Sequence, residues 1–149
     1  VLTREAYGTH YSFGAVVRAS RLALDEGVYY AHFLILGGYG DTRENVRETI
    51  ENSRRMEYTV MFPYAGMRIY PHTRLAELAA KEGAIGRDDD LMAPSYYISR
   101  DFDLEEVRRA ALATGKAWVF PDDPQSALAD TLRLKRNKKG PLWEYLRKP

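Results

Sequence analysis

The hydrophobic pattern in the first third of the chain predicts a helix followed by a strand. Positions at helical spacing carry apolar or small side chains from residue 13 to residue 24, and Gly27 follows where a left-handed C-terminal cap is expected. These positions are Phe13, Val16, Val17, Ser20 and Leu24. The next segment, residues 28–36, is almost continuously apolar and rich in strand-forming residues, which is typical of a strand buried on both faces. It ends at a glycine-rich turn, residues 37–40.

A second helix and a second strand follow the glycine-rich turn. Asp41 and Glu44 have the spacing of a capping box, which predicts a helix over about residues 42–57. Its stripe consists of Val46, Ile50, Ser53 and Met56. Strand-forming residues resume at residues 59–62. Two strands joined by one helix are expected to lie parallel in one sheet that is covered by helices.

The next segment predicts a loop and a third helix. The loop passes through Pro63 and Gly66 to residues 67–71, and Thr73 caps a helix that ends near Gly83. This order fits either an open doubly wound sheet or a (β/α) barrel. Since eight βα units need about 250 residues, the chain supplies only part of a closed barrel. The predicted fold class is therefore α/β, a partial (β/α) barrel with parallel strands.

The chain changes character after the acidic run at residues 88–90. Residues 1–100 are predicted to form the C-terminal portion of the barrel, and residues 101–149 a mainly helical C-terminal extension. Asp103 and Glu106 have the spacing of a second capping box. The elements predicted here are a strand at residues 96–98, a helix at residues 104–114, a strand at residues 117–120 and a helix that begins at Pro124.

Charge and cysteine content exclude several classes of function. The 149 residues include 22 basic and 21 acidic side chains, and the formal net charge of +1 provides no field to gather nucleic acid. There is no run of about 18 apolar residues and no secretory leader, so no transmembrane segment and a cytoplasmic location are expected. Cysteine is absent, which excludes disulfides, thiolate nucleophiles and an iron–sulfur cluster ligated by this segment. Because the chain begins at Val1 with a helix that already leads into a strand, we expect it to be a piece of a longer protein.

The glycine-rich turn is the strongest candidate for a binding site. Gly37 and Gly38 at the carboxyl end of a parallel strand let a ligand approach the backbone, and α/β folds place their sites at that edge. Asp41 at the start of the helix disfavours an anion, so a ligand with hydroxyl groups or positive charge fits better than a phosphate. A tight turn without a ligand is the alternative that the turn alone leaves open.

Arg68 is the candidate at the same edge of the next strand. Its guanidinium would bind a carboxylate through two parallel hydrogen bonds, which explains a charge among apolar and aromatic residues. The alternative is a surface arginine that lies on Tyr64 or Tyr70. The three histidines of the chain lack metal-ligand spacing, and no metal site is predicted.

Taken together, the two segments resemble the fifth and sixth strands of radical SAM enzymes. Residues 33–42 are similar to the strand, Gly-x-Pro-Gly-Glu-Thr turn and helix of that family, and residues 68–73 are similar to its Pro-Gly-Thr turn. The sequence Gly-Met-Arg-Ile-Tyr-Pro at residues 66–71 is most similar to radical SAM proteins that carry a cobalamin-binding domain. Tyr39 replaces the family's proline, and His72 replaces its glycine. The family's loop of three cysteines follows the first barrel strand, a region that this chain does not include.

The resemblance implies a function for the intact protein. A 4Fe-4S cluster, held by the missing N-terminal barrel half in the same chain or a split gene, would reduce S-adenosyl-L-methionine (SAM) to release a 5′-deoxyadenosyl radical. A small-molecule substrate is the implied partner, and cobalamin is a possible second cofactor of the full-length protein. No catalytic residue is assigned. The residues implied to form the SAM- and substrate-binding wall are Ile35, Gly37, Gly38, Asp41, Phe62, Tyr64 and Arg68. The alternative function is a non-catalytic α/β nucleotide-binding or interaction module.

Overall fold

The elements of the fold alternate between helices and strands for most of the chain. The computed structural model describes residues 11–86, 88–121, 141–147 and 149. The helices and strands in them are α1 (Phe13–Asp25), β1 (His32–Leu36), α2 (Arg43–Asn52), β2 (Val60–Ala65), β3 (Met67–Ile69), α3 (Arg74–Lys81), β4 (Ser95–Tyr97), α4 (Leu104–Ala113) and β5 (Ala117–Trp118). Short 3-10 helices span Ser53–Arg55 and Leu142–Leu146. The helix predicted to begin at Pro124 lies outside the described residues. No helix within the described ranges combines the length and the apolar run that crossing a bilayer requires.

A parallel sheet with the strand order β1-β2-β5 forms the centre of the fold. β1 and β2 run parallel, with Phe33 opposite Phe62 and Ile35 opposite Tyr64. β5 adds a third parallel strand on the other side of β2. The predicted α/β class, with two parallel strands joined by one helix, is confirmed.

One hydrophobic core joins α2 and α4 to the sheet. Its buried members are Leu36, Val46, Ile50, Val107, Ala111 and Phe120. At the surface, Glu106 of α4 forms ion pairs with both Arg43 and Arg47 of α2. The core contains residues from both sides of residue 100, because α4 and β5 continue the layers begun by β1, α2 and β2.

β1 is buried on one face only, so the predicted burial on both faces is wrong. Leu36 is 3% exposed, whereas Phe33 is 69% exposed and Ile35 is 50% exposed. Alternate side chains of a strand point to opposite faces, and Leu34 and Leu36 are the ones that pack on the helices. The strand also begins at His32 rather than at residue 28. The prediction failed because a continuous apolar run indicates that both faces of a strand need burial, whereas the described residues bury only one face of β1.

The cap of α2 differs from the predicted one. Thr42 is the N-cap: its hydroxyl accepts a hydrogen bond from the Asn45 backbone N–H at 3.3 Å, and Asn45 Oδ1 accepts one from the Thr42 N–H at 3.0 Å. Asp41 faces back into the turn, where its Oδ2 accepts from the Gly38 N–H at 3.1 Å. The capping box predicted for Asp41 and Glu44 is therefore wrong by one residue.

Pro63 lies inside β2, although a loop was predicted there. The Val119 N–H donates to the Met61 carbonyl, so Met61 directs its peptide groups towards β5. Pro63, two residues later, faces the same side, but β5 ends at Trp118, opposite Met61. Proline is tolerated because its nitrogen, which has no hydrogen to donate, faces an edge without a strand in the described residues.

Gly66 directs the chain out of the parallel sheet. Its φ is +74°, in the left-handed region that favours glycine. A Cβ at this position would overlap the carbonyl oxygen of Tyr97. After Gly66, β3 pairs antiparallel with β4, and this ribbon packs on α3 through Ile69, Tyr97 and Ala79. Of the loop predicted through Pro63 and Gly66, only the turn at Gly66 is present, since Pro63 belongs to β2.

Gly66→Ala is expected to destabilise the fold more than Gly83→Ala. Both glycines have left-handed backbones, at φ +74° and +75°, but no atom lies within 4 Å of a Cβ built on Gly83. The left-handed backbone costs alanine about 1 kcal/mol at either site, and displacing Tyr97 at Gly66 adds about 1–3 kcal/mol. Urea unfolding of both variants measures the difference, and equal losses of unfolding free energy would contradict the close contact.

His32 attaches α1 to the helix-covered face of the sheet. Its Nε2 lies 3.2 Å from Ser20 Oγ, which donates a hydrogen bond to the Val16 carbonyl at 2.9 Å. Ser20 is the only buried residue of α1. Burial lowers the pKa of the His32 imidazole. The folded protein therefore holds this histidine in its neutral form more strongly than the unfolded chain does.

Acid is expected to weaken the fold through His32. The pKa of His32 in the folded protein lies below the unfolded value of 6.5. The contribution of His32 to the unfolding free energy is therefore present above pH 6.5 and is lost as the pH falls from 6.5 through the folded pKa. The unfolding free energy should therefore decrease from about pH 7.5 to about pH 5.5, and His32→Gln should make this decrease smaller. Urea unfolding at both pH values is the measurement. His72→Gln is the control, since His72 is exposed, and an equal effect of both substitutions would exclude His32 as the cause.

Candidate functional site

The open face of the parallel sheet carries stacked aromatic rings. The Phe33 ring stacks on two rings of β2, with its centroid 5.2 Å from that of Phe62 and 6.2 Å from that of Tyr64. The planes are inclined by only 17° and 22°. Ile35 lies opposite Tyr64 and extends the same face. These four side chains form an apolar surface across β1 and β2, which we call the aromatic face.

The aromatic face is accessible and uncharged. Phe33 and Ile35 are exposed, Tyr64 is 42% exposed and Phe62 is half-buried. Ring faces and a branched aliphatic side chain gain free energy by covering apolar or planar groups, and they offer no charge to an ionic one. The surface therefore suits a planar or apolar ligand group. Of the residues predicted to form a binding wall, Ile35, Phe62 and Tyr64 are the three that the structure brings together here.

The glycine-rich turn at the end of β1 is covered by the chain itself. A Cβ on Gly37 would overlap the Phe102 ring, and the Gly37 carbonyl accepts a hydrogen bond from the Ser99 N–H at 2.7 Å. The Ser99 hydroxyl donates to the Asp41 carbonyl at 2.9 Å. Gly37 and Gly38 are both buried. The close approach to the backbone that glycine permits is thus used by residues of the same chain, and Asp41 holds the turn through the Gly38 N–H.

Phe102 was not among the residues predicted from the sequence, although a signal for it exists. It immediately precedes Asp103, the N-cap of α4, whose carboxylate accepts from the Glu105 and Glu106 N–H groups. An apolar residue at this position often packs against the fourth residue of the helix, here Val107. Phe102 packs on the core cluster that contains Val107. The Asp103 N-cap of α4 therefore also positions the side chain that covers Gly37, while the Glu106 side chain predicted to complete a capping box pairs with Arg43 and Arg47 instead.

Arg68 lies on the β3–β4 ribbon, outside the parallel sheet. Its guanidinium carbon is 4.9 Å from the centroid of the Tyr70 ring, and both side chains are exposed. Its neighbour in the ladder is Tyr96. This position agrees with the alternative of a surface arginine stacked on Tyr70. Carboxylate binding by Arg68 stays a prediction.

Tyr97, on the side of the ribbon that packs on α3, has a strongly raised pKa. The Tyr97 hydroxyl donates to Glu82 Oε2 at 2.8 Å. Burial, with the adjacent Glu82 carboxylate, raises the pKa of Tyr97 to about 12. Its ring also meets the edge of the Tyr39 ring at 5.6 Å. A phenol with this pKa stays protonated at neutral pH, so the cluster supports the glycine-rich turn structurally.

The described residues include no group of three or more His, Asp or Glu side chains placed to hold a metal ion.

The turn that begins α3 has a left-handed residue at its centre. His72 has a φ of +61°, and Thr73 follows as the N-cap, accepting from the Ala76 N–H at 3.2 Å. A non-glycine residue in this region is uncommon. His72 therefore adopts a backbone conformation that favours glycine although it carries a side chain.

Comparison with known proteins identifies no relative: no family model, no curated protein and no solved structure matches this chain. Its function is inferred from the residues and geometry of the sheet.

Replacement of Asp41 is expected to separate its structural role from its charge. Asp41→Ala leaves the buried Gly38 N–H without its carboxylate acceptor, which costs about 1–3 kcal/mol of unfolding free energy. Asp41→Asn keeps an oxygen acceptor and should cost about 1 kcal/mol or less, the difference between a hydrogen bond to a charged and to a neutral group. Urea unfolding measures both values. A large loss in Asp41→Asn would show that the charge, not the hydrogen bond to the turn, stabilises the fold.

Proposed function

We propose that this chain is part of the (β/α) barrel of a radical SAM enzyme and that its aromatic face belongs to the wall that binds SAM and substrate. The observation that carries the proposal is the one-sided sheet. In such barrels the helices cover the outer face of a parallel sheet, and alternate side chains of the strands line the interior. Here the helices pack beside Leu34 and Leu36, while Phe33 and Ile35 are exposed on the other face.

The two turns give further support to the proposed family. The first has positive φ at Gly37 and Gly40, +73° and +81°, which are the two glycine positions of the Gly-x-Pro-Gly-Glu-Thr pattern. The second has positive φ at His72, where the resembled pattern has glycine. A backbone conformation that survives the replacement of glycine is a sign that the fold requires this conformation.

Of the cofactors that the resemblance implies, the residues of this chain fit SAM but not the iron–sulfur cluster. Ile35, Phe62 and Tyr64 offer the apolar surface that a planar adenine requires. Gly37 and Gly38 would act by shaping the turn, because Phe102 and Ser99 already cover them. SAM, when reduced by the cluster, supplies the 5′-deoxyadenosyl radical. The cluster does not fit this chain, which has no cysteine, so the N-terminal barrel half would ligate it, and any cobalamin would be bound there or in a further domain.

A second candidate is a non-catalytic α/β module that binds a nucleotide or a partner protein. The observation that favours it is the burial of the glycine-rich turn under Phe102, which gives Gly37 a purely structural reason. Such a module would also use the aromatic face for binding. The two candidates differ in whether SAM binds to this face in the intact protein.

Ile35→Asp is expected to weaken SAM binding by the full-length, anaerobically reconstituted protein about 10-fold or more, or about 1.4 kcal/mol. The reason is that a carboxylate would replace the apolar surface proposed to cover adenine. Isothermal titration calorimetry with SAM is the measurement. Leu112→Asp is the matched control, because Leu112 is 68% exposed on α4 and lies away from the aromatic face. Equal affinities of both variants and the unsubstituted protein would favour the non-catalytic module.

Residues 1–149 alone are expected to bind no iron–sulfur cluster and to cleave no SAM, since the chain offers no thiolate ligand. Anaerobic reconstitution with iron and sulfide, followed by ultraviolet–visible and EPR spectroscopy, tests this. A stoichiometric four-iron signal would contradict the assignment of the cluster to another part of the protein.

A further inference from the structure

We propose that the C-terminal segment, residues 141–147 and 149, is the floor of the candidate site. It covers the amino-terminal half of the open sheet face, so that a ligand reaches the aromatic face only from the carboxyl ends of the strands. Arg147 is the positioning residue that anchors this floor. The inference holds for either candidate function, since both use the aromatic face, and its test involves neither SAM nor the cluster.

The open face of the parallel sheet is covered at its amino-terminal half. Val60 lies two residues before Phe62 on β2, so both side chains point to the same face. Val60 is nevertheless fully buried, and Ala117, its neighbour on β5, is buried as well. Phe33 and Tyr64, which lie nearer the carboxyl ends, are exposed. Neither Val60 nor Ala117 belongs to the core that α2 and α4 form on the opposite face. An element on the open face must therefore cover them.

The C-terminal segment is the element that lies there. Its 3-10 helix, Leu142–Leu146, lies against β2. The opposite face of the sheet is already occupied by α1, α2 and α4, so this helix lies on the open face, over Val60. Trp143 and Leu146 are half-buried, whereas Tyr145 is exposed. This pattern is typical of a layer with one side on the sheet and the other side towards solvent.

Two contacts hold the segment across the amino ends of the strands. The guanidinium carbon of Arg147 lies 3.8 Å from the centroid of the Tyr29 ring, shortly before β1. Lys116 Nζ, immediately before β5, donates to the main-chain oxygen of Pro149 at 2.9 Å. Arg147 Nε also donates to the Glu144 carbonyl at 2.9 Å. The Arg147 side chain thus closes the 3-10 helix and attaches it to the sheet.

A floor at this position makes the site one-ended. The exposed part of the aromatic face on β1 extends from Phe33 to Ile35, which is about 7 Å along a strand that rises roughly 3.3 Å per residue. A longer apolar group would meet the C-terminal segment before it reached Val60. The end that stays open is the carboxyl edge, where α/β folds place their sites. The segment therefore limits how far a ligand extends along the strands.

Thiol labelling tests the cover, because the chain contains no cysteine and a single introduced thiol reports on one position. Val60→Cys places the thiol under the proposed floor. Met61→Cys is the matched control, because Met61 is also fully buried but points to the helix-covered face. Both thiols should react slowly with iodoacetamide in the complete chain. Removal of residues 141–149 should speed the reaction at position 60 about 10-fold or more and leave position 61 unchanged, since a buried thiol reacts through local opening.

Three results of this labelling would overturn the inference. A fast reaction at position 60 in the complete chain would show that the segment does not cover Val60. A reaction at position 60 that stays slow after the removal would show that another element covers it. Equal acceleration at positions 60 and 61 would show that the segment stabilises the whole fold and does not act as a floor for one face.

Arg147→Ala tests the anchor while the segment is kept. Loss of the stacking on Tyr29 should speed the reaction at position 60 about 3-fold or more, as the usual strength of a cation–π contact implies. Arg109→Ala is the control, because Arg109 is an exposed arginine on α4, and it should leave the rate unchanged. Position 61 should stay slow in both variants. Equal rates at position 60 in the two variants would overturn the role of Arg147. Loss or retention of SAM binding by the full-length protein does not affect any of these outcomes.

Discussion

The structure depends on one constraint, which is that a parallel sheet has two apolar faces and two polar edges and all of them need cover. In the described residues, α1, α2 and α4 satisfy this requirement for one face. Val46 and Ile50 of α2 and Val107 of α4 meet Leu36 there. The opposite face, with Phe33 and Ile35, is left exposed. The aromatic face and the free edge of β1 are therefore two consequences of the same incomplete cover.

The carboxyl end of the sheet is covered in a different way. Gly66 turns the chain out of β2, and the ribbon of β3 and β4 returns it over the end of β1, where Ser99 bonds to Gly37. Phe102 then fills the space that Gly37 leaves by having no side chain. A small second core with Ile69 supports the ribbon. This arrangement covers the backbone of Gly37 with residues of the same chain, so the aromatic face is the more accessible of the two candidate surfaces.

The order of elements could be predicted from the sequence because apolar periodicity and caps act locally. The helix from Phe13 and the cap at Thr73 follow from nearby residues alone. The pattern failed where the outcome depends on distant residues. An apolar run such as residues 32–36 reports which surfaces need cover, but it does not report which segment provides it. For the same reason, Gly37 could be predicted as a position of close approach, whereas its partner Phe102, 65 residues away in sequence, could not be identified.

The outer edge of β1 and the aromatic face share residues but differ in the cover that they need. Phe33 takes part in both: its peptide groups face the free edge of β1, and its ring stacks on Phe62 in the aromatic face. A strand paired with β1 would leave this ring accessible, because ladder hydrogen bonds lie in the plane of the sheet and side chains stand perpendicular to it. A covering layer of helices would bury it. Completion of the edge by a strand is thus compatible with an open, ligand-binding interior, as a barrel requires, whereas a doubly wound sheet would close the aromatic face with helices and remove Ile35 and Tyr64 from any site.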